Sequence, residues 1–287
     1  MRSHNEYSRT AEGVALLRTL EQIHPTGRRI LNDPYAAAFL QDPRLNVIVR
    51  SRLLSRLMLR FLSLWSPGAQ EMIALRAKLV DDLALEMKAQ LDQIVILGAG
   101  FDTMALRVKD ALRTVIVFEV DHPATQAVKH QAFTHVGIPA NVRFIAMDFE
   151  RGDFIANLRA AGFGSERPSL IIWVGVTCYL TKQAITRAMN QIASLGGSGT
   201  RLIFDYIRAE VINGTSHNSE ALSKARRMAR LGEPWLFGLT PEQVPDYLAS
   251  FGFKLIKDYA AAELRAGYCP QRRMPIDYNR IVVCERL

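Results

Sequence analysis

Val95-Ile96-Leu97-Gly98-Ala99-Gly100-Phe101-Asp102-Thr103 runs from a short apolar stretch into two glycines and a carboxylate. A β-rich run that ends in glycine, ahead of a helix-length segment, reads as the first strand of a doubly wound sheet. The glycines let a ligand approach the backbone closely. Comparable apolar runs follow at 115–120, 142–147, 170–174, 201–206, 253–257 and 280–284. Continuous apolar strands separated by helix-length segments predict a mostly parallel α/β sheet of seven strands, covered on both faces. The stretch between the last two runs holds Pro and Gly and reads as irregular, so an antiparallel pair is expected at that edge. The first ninety residues read as helical. Asn32-Asp33-Pro34-Tyr35-Ala36 has the residues of a helix start, and 69–90 reads as an amphipathic helix with Asp81 and Asp82 on its polar side. The expected organisation is an N-terminal helical cap over 1–90 and a cofactor-binding part over 91–287. Within the second part, 207–245 forms a lid-like insertion after the fifth strand.

The carboxylates along this frame indicate which ligand it takes. Doubly wound sheets bind at the carboxyl ends of their strands, near the switch in strand order. Glu119 and Asp121 end the second strand, about 20 residues after the glycines, where a carboxylate can accept hydrogen bonds from a ribose diol. Asp148 and Phe149 end the third, where they can bind an adenine amino group and cover its ring. An adenosine-containing cofactor fits this set. A nicotinamide fingerprint would have a third glycine at 103, where this chain has Thr103, and Asp102 near the loop would repel a pyrophosphate. Asp102 suits a cationic cofactor better, namely S-adenosylmethionine.

These segments resemble a known family. The stretches beginning at Gln93, Val117 and Arg143 are similar to the leucine carboxyl methyltransferase family, in its bacterial branch related to polyketide O-methyltransferases. Thr10-Ala11-Glu12-Gly13, Asp33-Pro34-Tyr35-Ala36, the helix around Arg76 and Gly232-Glu233-Pro234-Trp235 extend the resemblance over most of the chain. It implies a class I methyltransferase sheet with a helical cap. It also implies Arg76 on the cofactor carboxylate, Gly98 and Gly100 along its methionine part, Asp121 at the ribose, and Asp148 with Phe149 at the adenine. Glu233 and Trp235 would face the substrate. One departure stands out: Val174 occupies the place of a glutamate at the end of the fourth strand.

The implied reaction is methyl transfer, preferably to oxygen, on a small organic acid or a phenolic, polyketide-like acceptor. Tyr179, just past the fourth strand, and His217, in the insertion, are the catalytic candidates, each with a plain structural alternative. Arg226-Arg227 and Arg272-Arg273 offer positive charge for an anionic acceptor. A ligand-binding or membrane-surface module without turnover is the alternative, and a nicotinamide oxidoreductase is a more distant one.

Composition narrows the remaining classes. The chain has 287 residues, 49% hydrophobic and 22% charged, as in an ordinary folded protein. Its 36 basic and 28 acidic residues give a net charge of +8, which favours anionic partners. Basic runs interleaved with aromatics are lacking, which argues against nucleic acid. Cys178, Cys269 and Cys284 are far apart and suggest neither a zinc site nor a disulfide framework, so a reducing cytoplasm is expected. No apolar run approaches the ~20 residues of a membrane span. Between residues 44 and 65, Arg52, Arg56 and Arg60 recur every four residues beside leucines. The preferred reading is a cap helix packed on the sheet with its arginines in water; the alternative is peripheral contact with an anionic membrane.

Overall fold

The computed structural model describes residues 7–147, 153–272, 274 and 276–287. Four helices come first: α1 (Arg9–Glu21), α2 (Pro43–Arg50), α3 (Arg52–Trp65) and α4 (Ala69–Met87). Strands and helices then alternate through β1 (Gln93–Leu97), α5 (Met104–Arg107), β2 (Ile116–Asp121), α6 (Pro123–Val136), β3 (Val142–Ala146) and α7 (Phe154–Ala160). β4 (Ser169–Trp173), α8 (Lys182–Ala193) and β5 (Arg201–Arg208) continue the pattern. The insertion carries α9 (Ala209–Ile212), α10 (Ser219–Arg230) and the two-residue β6 (Gly238–Leu239). The chain closes with α11 (Val244–Ala249), β7 (Phe253–Ala260), α12 (Ala261–Tyr268) and β8 (Asn279–Arg286).

The strand order is β3-β2-β1-β4-β5-β8-β7, with β6 added beside β5. β1 to β5 are parallel, and β8 runs antiparallel to both β5 and β7. The seven expected strands and the antiparallel edge are therefore present. Two details differ: β6 is an eighth, very short strand, and α12 fills the stretch expected to be irregular. The signal for α12 is local, since Glu263 accepts from the Ala260 N–H at 2.7 Å and fixes its first turn.

β1 shows why the sheet needs a layer on each face. All five of its residues are buried. Ile94 and Ile96 join a core with Leu75, Leu83 and Met87 of α4, while Val95 and Leu97 join another with Leu158 of α7 and Ile192 of α8. Period-two alternation sends successive side chains to opposite faces. The third core, around Leu20, Phe39, Phe101 and Phe133, fastens α1 and the 30s segment over the end of β1.

A buried ionic cluster joins the cap to the sheet. Arg18 of α1 donates to the Phe101 carbonyl at 2.5 Å and to the Thr103 hydroxyl at 3.2 Å, and lies 3.2 Å from Asp33. Thr103 donates to Asp33 at 2.6 Å and accepts from Arg107 at 2.8 Å. Arg107 also clasps both oxygens of Asp81 at 2.7 and 2.8 Å. Two sequence expectations change here. Asp81 faces inward, 7% exposed, instead of lying on a polar face. Asp33 does cap the backbone at Tyr35 and Ala36, but only a short 3-10 turn (Ala36–Phe39) follows it.

Replacing Arg107 by Met would leave Asp81 buried with no cation. Removing one partner of a buried pair costs about 3–5 kcal/mol. Urea unfolding should show a loss of that size; a loss under ~1 kcal/mol would mean the cluster is not a structural tie.

Candidate active site

The strand order reverses between β1 and β4, so the carboxyl ends of these two strands flank the crevice at the switch point. Gly98 follows β1 at φ 73°, and a Cβ there would collide with the Val176 side chain. Gly175 follows β4 at φ 76°, and a Cβ there would lie 2.8 Å from the Arg76 guanidinium. Only glycine allows both the left-handed backbone and these approaches. Arg76, on α4, therefore rests directly over the end of β4.

Arg76 is held there by Asp205 of β5. Its guanidinium donates to one Asp205 oxygen at 2.7 Å, and the Gly175 N–H donates to the other at 2.7 Å. Asp205 is 4% exposed. It thus supplies a carboxylate beside the fourth strand, where Val174 is half-buried and apolar. Sequence reasoning missed Asp205. Its signal was a lone charge inside the apolar run of β5, since a buried carboxylate needs a partner.

The other expected cofactor residues fall into three groups. Asp121, at the end of β2, accepts from the N–H groups of Gly100 and His122, the latter at 2.6 Å. Burial raises its pKa, partly offset by those donors. It therefore stands at the mouth and orders the glycine loop. Glu119 is a correction: it is 1% exposed and pairs at 2.5 Å with Lys129 of α6, so it lies inside the layer and away from the mouth. Asp102 is a partial one. It accepts from the Met104 N–H at 2.5 Å and lies within 3.9 Å of both Arg18 and Arg107. Burial opposes its ionisation, but Arg107 and Arg18 outweigh it and hold the carboxyl below its usual range. Its charge is thus engaged by the protein, which weakens the argument that it attracts a cation. Asp148 and Phe149 lie outside the described residues.

Where the sequence placed an acceptor, Tyr179 follows β4 and adjoins Trp235, with Cys178 and Glu233 nearby. Burial, helped by Cys178 and Glu233, raises the Tyr179 phenol, so it is no ready base. Glu233 accepts from Thr10 of α1 at 2.5 and 2.6 Å, which ties the insertion to the cap. Trp235 packs against Tyr278 with ring centroids 5.7 Å apart, and the Lys224 ammonium lies 5.7 Å from the Tyr278 ring. Burial, reinforced by Arg227, lowers Lys224 to about 8. Lys224 was also missed; one lysine in a charged helix gives no sequence signal.

The arginines expected to serve an acceptor mostly serve structure. Arg227 stacks on Trp65 at 3.9 Å and donates to its carbonyl at 2.7 Å. Arg272 grips both oxygens of Glu21 at 2.9 Å. Neither is free for an acceptor. Arg226 is exposed, and Arg273 lies outside the described residues. His122 caps α6 through its ring. His217 is exposed between α9 and α10, and among the described residues no hydrogen bond joins it to the acceptor side. Among the described residues there is no cluster able to hold a metal ion.

A parallel sheet in this order, with a glycine crevice at its switch point, is the class I methyltransferase architecture. The leucine carboxyl methyltransferase family model matches residues 11–193. A Bacillus subtilis protein, provisionally named an S-adenosyl-L-methionine-dependent methyltransferase, is 29% identical over 185 residues. That match takes in 63% of this chain and 60% of the relative, so the chain spans less than two thirds of it. A Mycolicibacterium smegmatis protein of the same provisional name is 29% identical over 259 residues, 86% of this chain and 81% of that one. A crystal structure from Thermobifida fusca, provisionally titled a methyltransferase, shares the fold with a TM-score of 0.61. It is 17% identical and covers 93% of this chain and 97% of its own. The chain belongs to the leucine carboxyl methyltransferase family, a family of S-adenosylmethionine-dependent methyltransferases. That places it among transferases and away from the nicotinamide oxidoreductases.

Arg76→Ala should weaken S-adenosylhomocysteine binding at least tenfold, since a charge-assisted contact contributes about 1.5–3 kcal/mol. Because Asp205 is left unpaired, thermal stability should fall as well. Calorimetry and thermal unfolding on the same preparation separate the two, and unchanged affinity would confine Arg76 to its structural pairing.

Proposed function

We propose that this chain methylates an oxygen of a small amphiphilic acceptor, with an organic acid preferred over a phenol. The observation that carries the reading is the Lys224–Tyr278–Trp235–Tyr179 wall beside the crevice at the ends of β1 and β4. Aromatic faces suit an apolar body, and one partly desolvated ammonium suits one anionic group. Gly98, Gly100, Arg76 and Asp121 are assigned to the cofactor: Arg76 to its carboxylate, Asp121 to its ribose. When bound, S-adenosylmethionine supplies a methyl group on positively charged sulfur, open to in-line displacement by oxygen. The protein's task is then alignment and exclusion of water. Lys224 would hold the acceptor's charge, Trp235 and Tyr278 its body, and the Thr10–Glu233 bond would keep insertion and cap together over both.

A carboxylate acceptor is ionised at neutral pH and needs no base, whereas a phenol with pKa near 10 benefits from one. Lys224 gives the two opposite pH signatures. As an ammonium holding a carboxylate, it loses its grip as pH rises through about 8, so kcat/KM falls. As a base for a phenol, it becomes competent over the same interval, so kcat/KM rises. Labelled methyl transfer to a panel of acids and phenols across this range should show one of these inflections, and Lys224→Met should abolish it. Transfer to no acceptor would favour a ligand-binding module, and an inflection untouched by Lys224→Met would remove Lys224 from the acceptor site.

A further inference from the structure

The α2–α3 segment turns its apolar side outward. α3 packs inward through Ser55, Met58 and Leu62, of which Ser55 alone is fully buried. Leu53, Leu57, Phe61 and Leu64 form a stripe on the opposite side, at 66%, 56%, 60% and 78% exposure. Their spacing of four, four and three residues keeps them on one helix face. This corrects the reading of α3 as a cap helix with its apolar face on the sheet. Arg52, Arg56 and Arg60 run beside the stripe, and Arg44, Arg50 and Val47 extend it on α2, all exposed. Among the described residues none of these arginines pairs with a carboxylate, and no Asp or Glu occurs from residue 43 to residue 70. Between α3 and the turn after α1 lies a shallow groove of about 360 Å³, lined by Ile23, His24, Arg56, Leu59 and Arg60.

We propose that this face docks on an anionic lipid bilayer, with the leucine and phenylalanine stripe in the headgroup–acyl boundary and the arginines among the phosphates. Charge selects the occupant. A second copy of the same face would bring two sets of five arginines together with no acid between them. The stripe is convex and flanked by long cations, the form of a helix lying in the plane of a membrane interface. Arg groups reach outward from such a position while their stems stay apolar. The groove beside Arg56 and Arg60 suits a headgroup phosphate, which guanidinium binds in bidentate fashion. Trp65, half-exposed at the end of α3, sits where indoles favour the interface. Its ring also carries Arg227, so the docked face is continuous with the insertion over the acceptor side. The inference stands on this surface alone and does not depend on which acceptor is methylated.

Cosedimentation of the full chain with vesicles tests it. Binding to phosphatidylcholine vesicles containing phosphatidylglycerol should exceed binding to phosphatidylcholine alone and weaken as salt rises. Replacing Arg52, Arg56 and Arg60 by Gln should lower the partition coefficient about fivefold per arginine, roughly a hundredfold together. Leu57→Asp with Phe61→Asp should abolish binding; Leu53→Ser with Leu64→Ser is a second pair should the first unfold, as judged by thermal melting. Absence of binding to the anionic vesicles, or equal binding by wild type and variants, would overturn the proposal. So would a wild-type dimer that Leu57→Asp with Phe61→Asp converts to monomer, since the stripe would then be a protein interface.

Discussion

The buried cluster around Thr103 is the constraint on which the rest of the molecule depends. Its hydroxyl bonds Asp33, Arg18 and Arg107 at once, so three chain segments meet at one side chain, and Arg107 ties in α4 through Asp81. Burying these charges is costly unless each finds a partner, and here each does. The result is a loop after β1 whose position is set from beneath by α1 and α4, not by the loop's own sequence. It also explains a departure from dinucleotide-binding loops: a third glycine at 103 would remove the hub.

From that loop outward the site is assembled by approaches that only small residues allow. Gly98 admits Val176 and Gly175 admits Arg76, bringing the ends of β1 and β4 under one guanidinium. Asp205 then fixes both Gly175 and Arg76 from the neighbouring strand. Methyl transfer needs rigid alignment more than acid–base machinery, and the Asp205–Arg76–Gly175 contacts supply rigidity of that kind. Val174 ceases to be an anomaly once Asp205 is seen beside it.

The sheet was legible because strand burial is a one-dimensional pattern. β1, β2, β4 and β5 are mostly buried apolar runs, and glycine follows the end of β1. The helical character of the first ninety residues was legible as well, and the family resemblance agreed with it. What sequence could not show was partnership. Asp81 and Glu119 look like solvated or ligand-facing carboxylates until Arg107 and Lys129, 26 and 10 residues away in the chain, are brought against them. Arg227 and Arg272 look like free positive charge until Trp65 and Glu21 meet them. α3 misled for the opposite reason: its period is that of a packed helix, and only the fold reveals that the apolar stripe points away. α12 was missed because Gly267 and Pro270 near its end dominate a short segment.

The central claim is that the crevice between Gly98–Gly100 and Gly175 is an S-adenosylmethionine site. Titrating the wild-type chain calorimetrically with S-adenosylhomocysteine, and in parallel with NAD, tests it most directly. A dissociation constant in the micromolar range, about −8 kcal/mol, with no comparable heat from NAD, is the result the structure predicts. Tighter binding of NAD, or no binding of S-adenosylhomocysteine to folded protein, would contradict it.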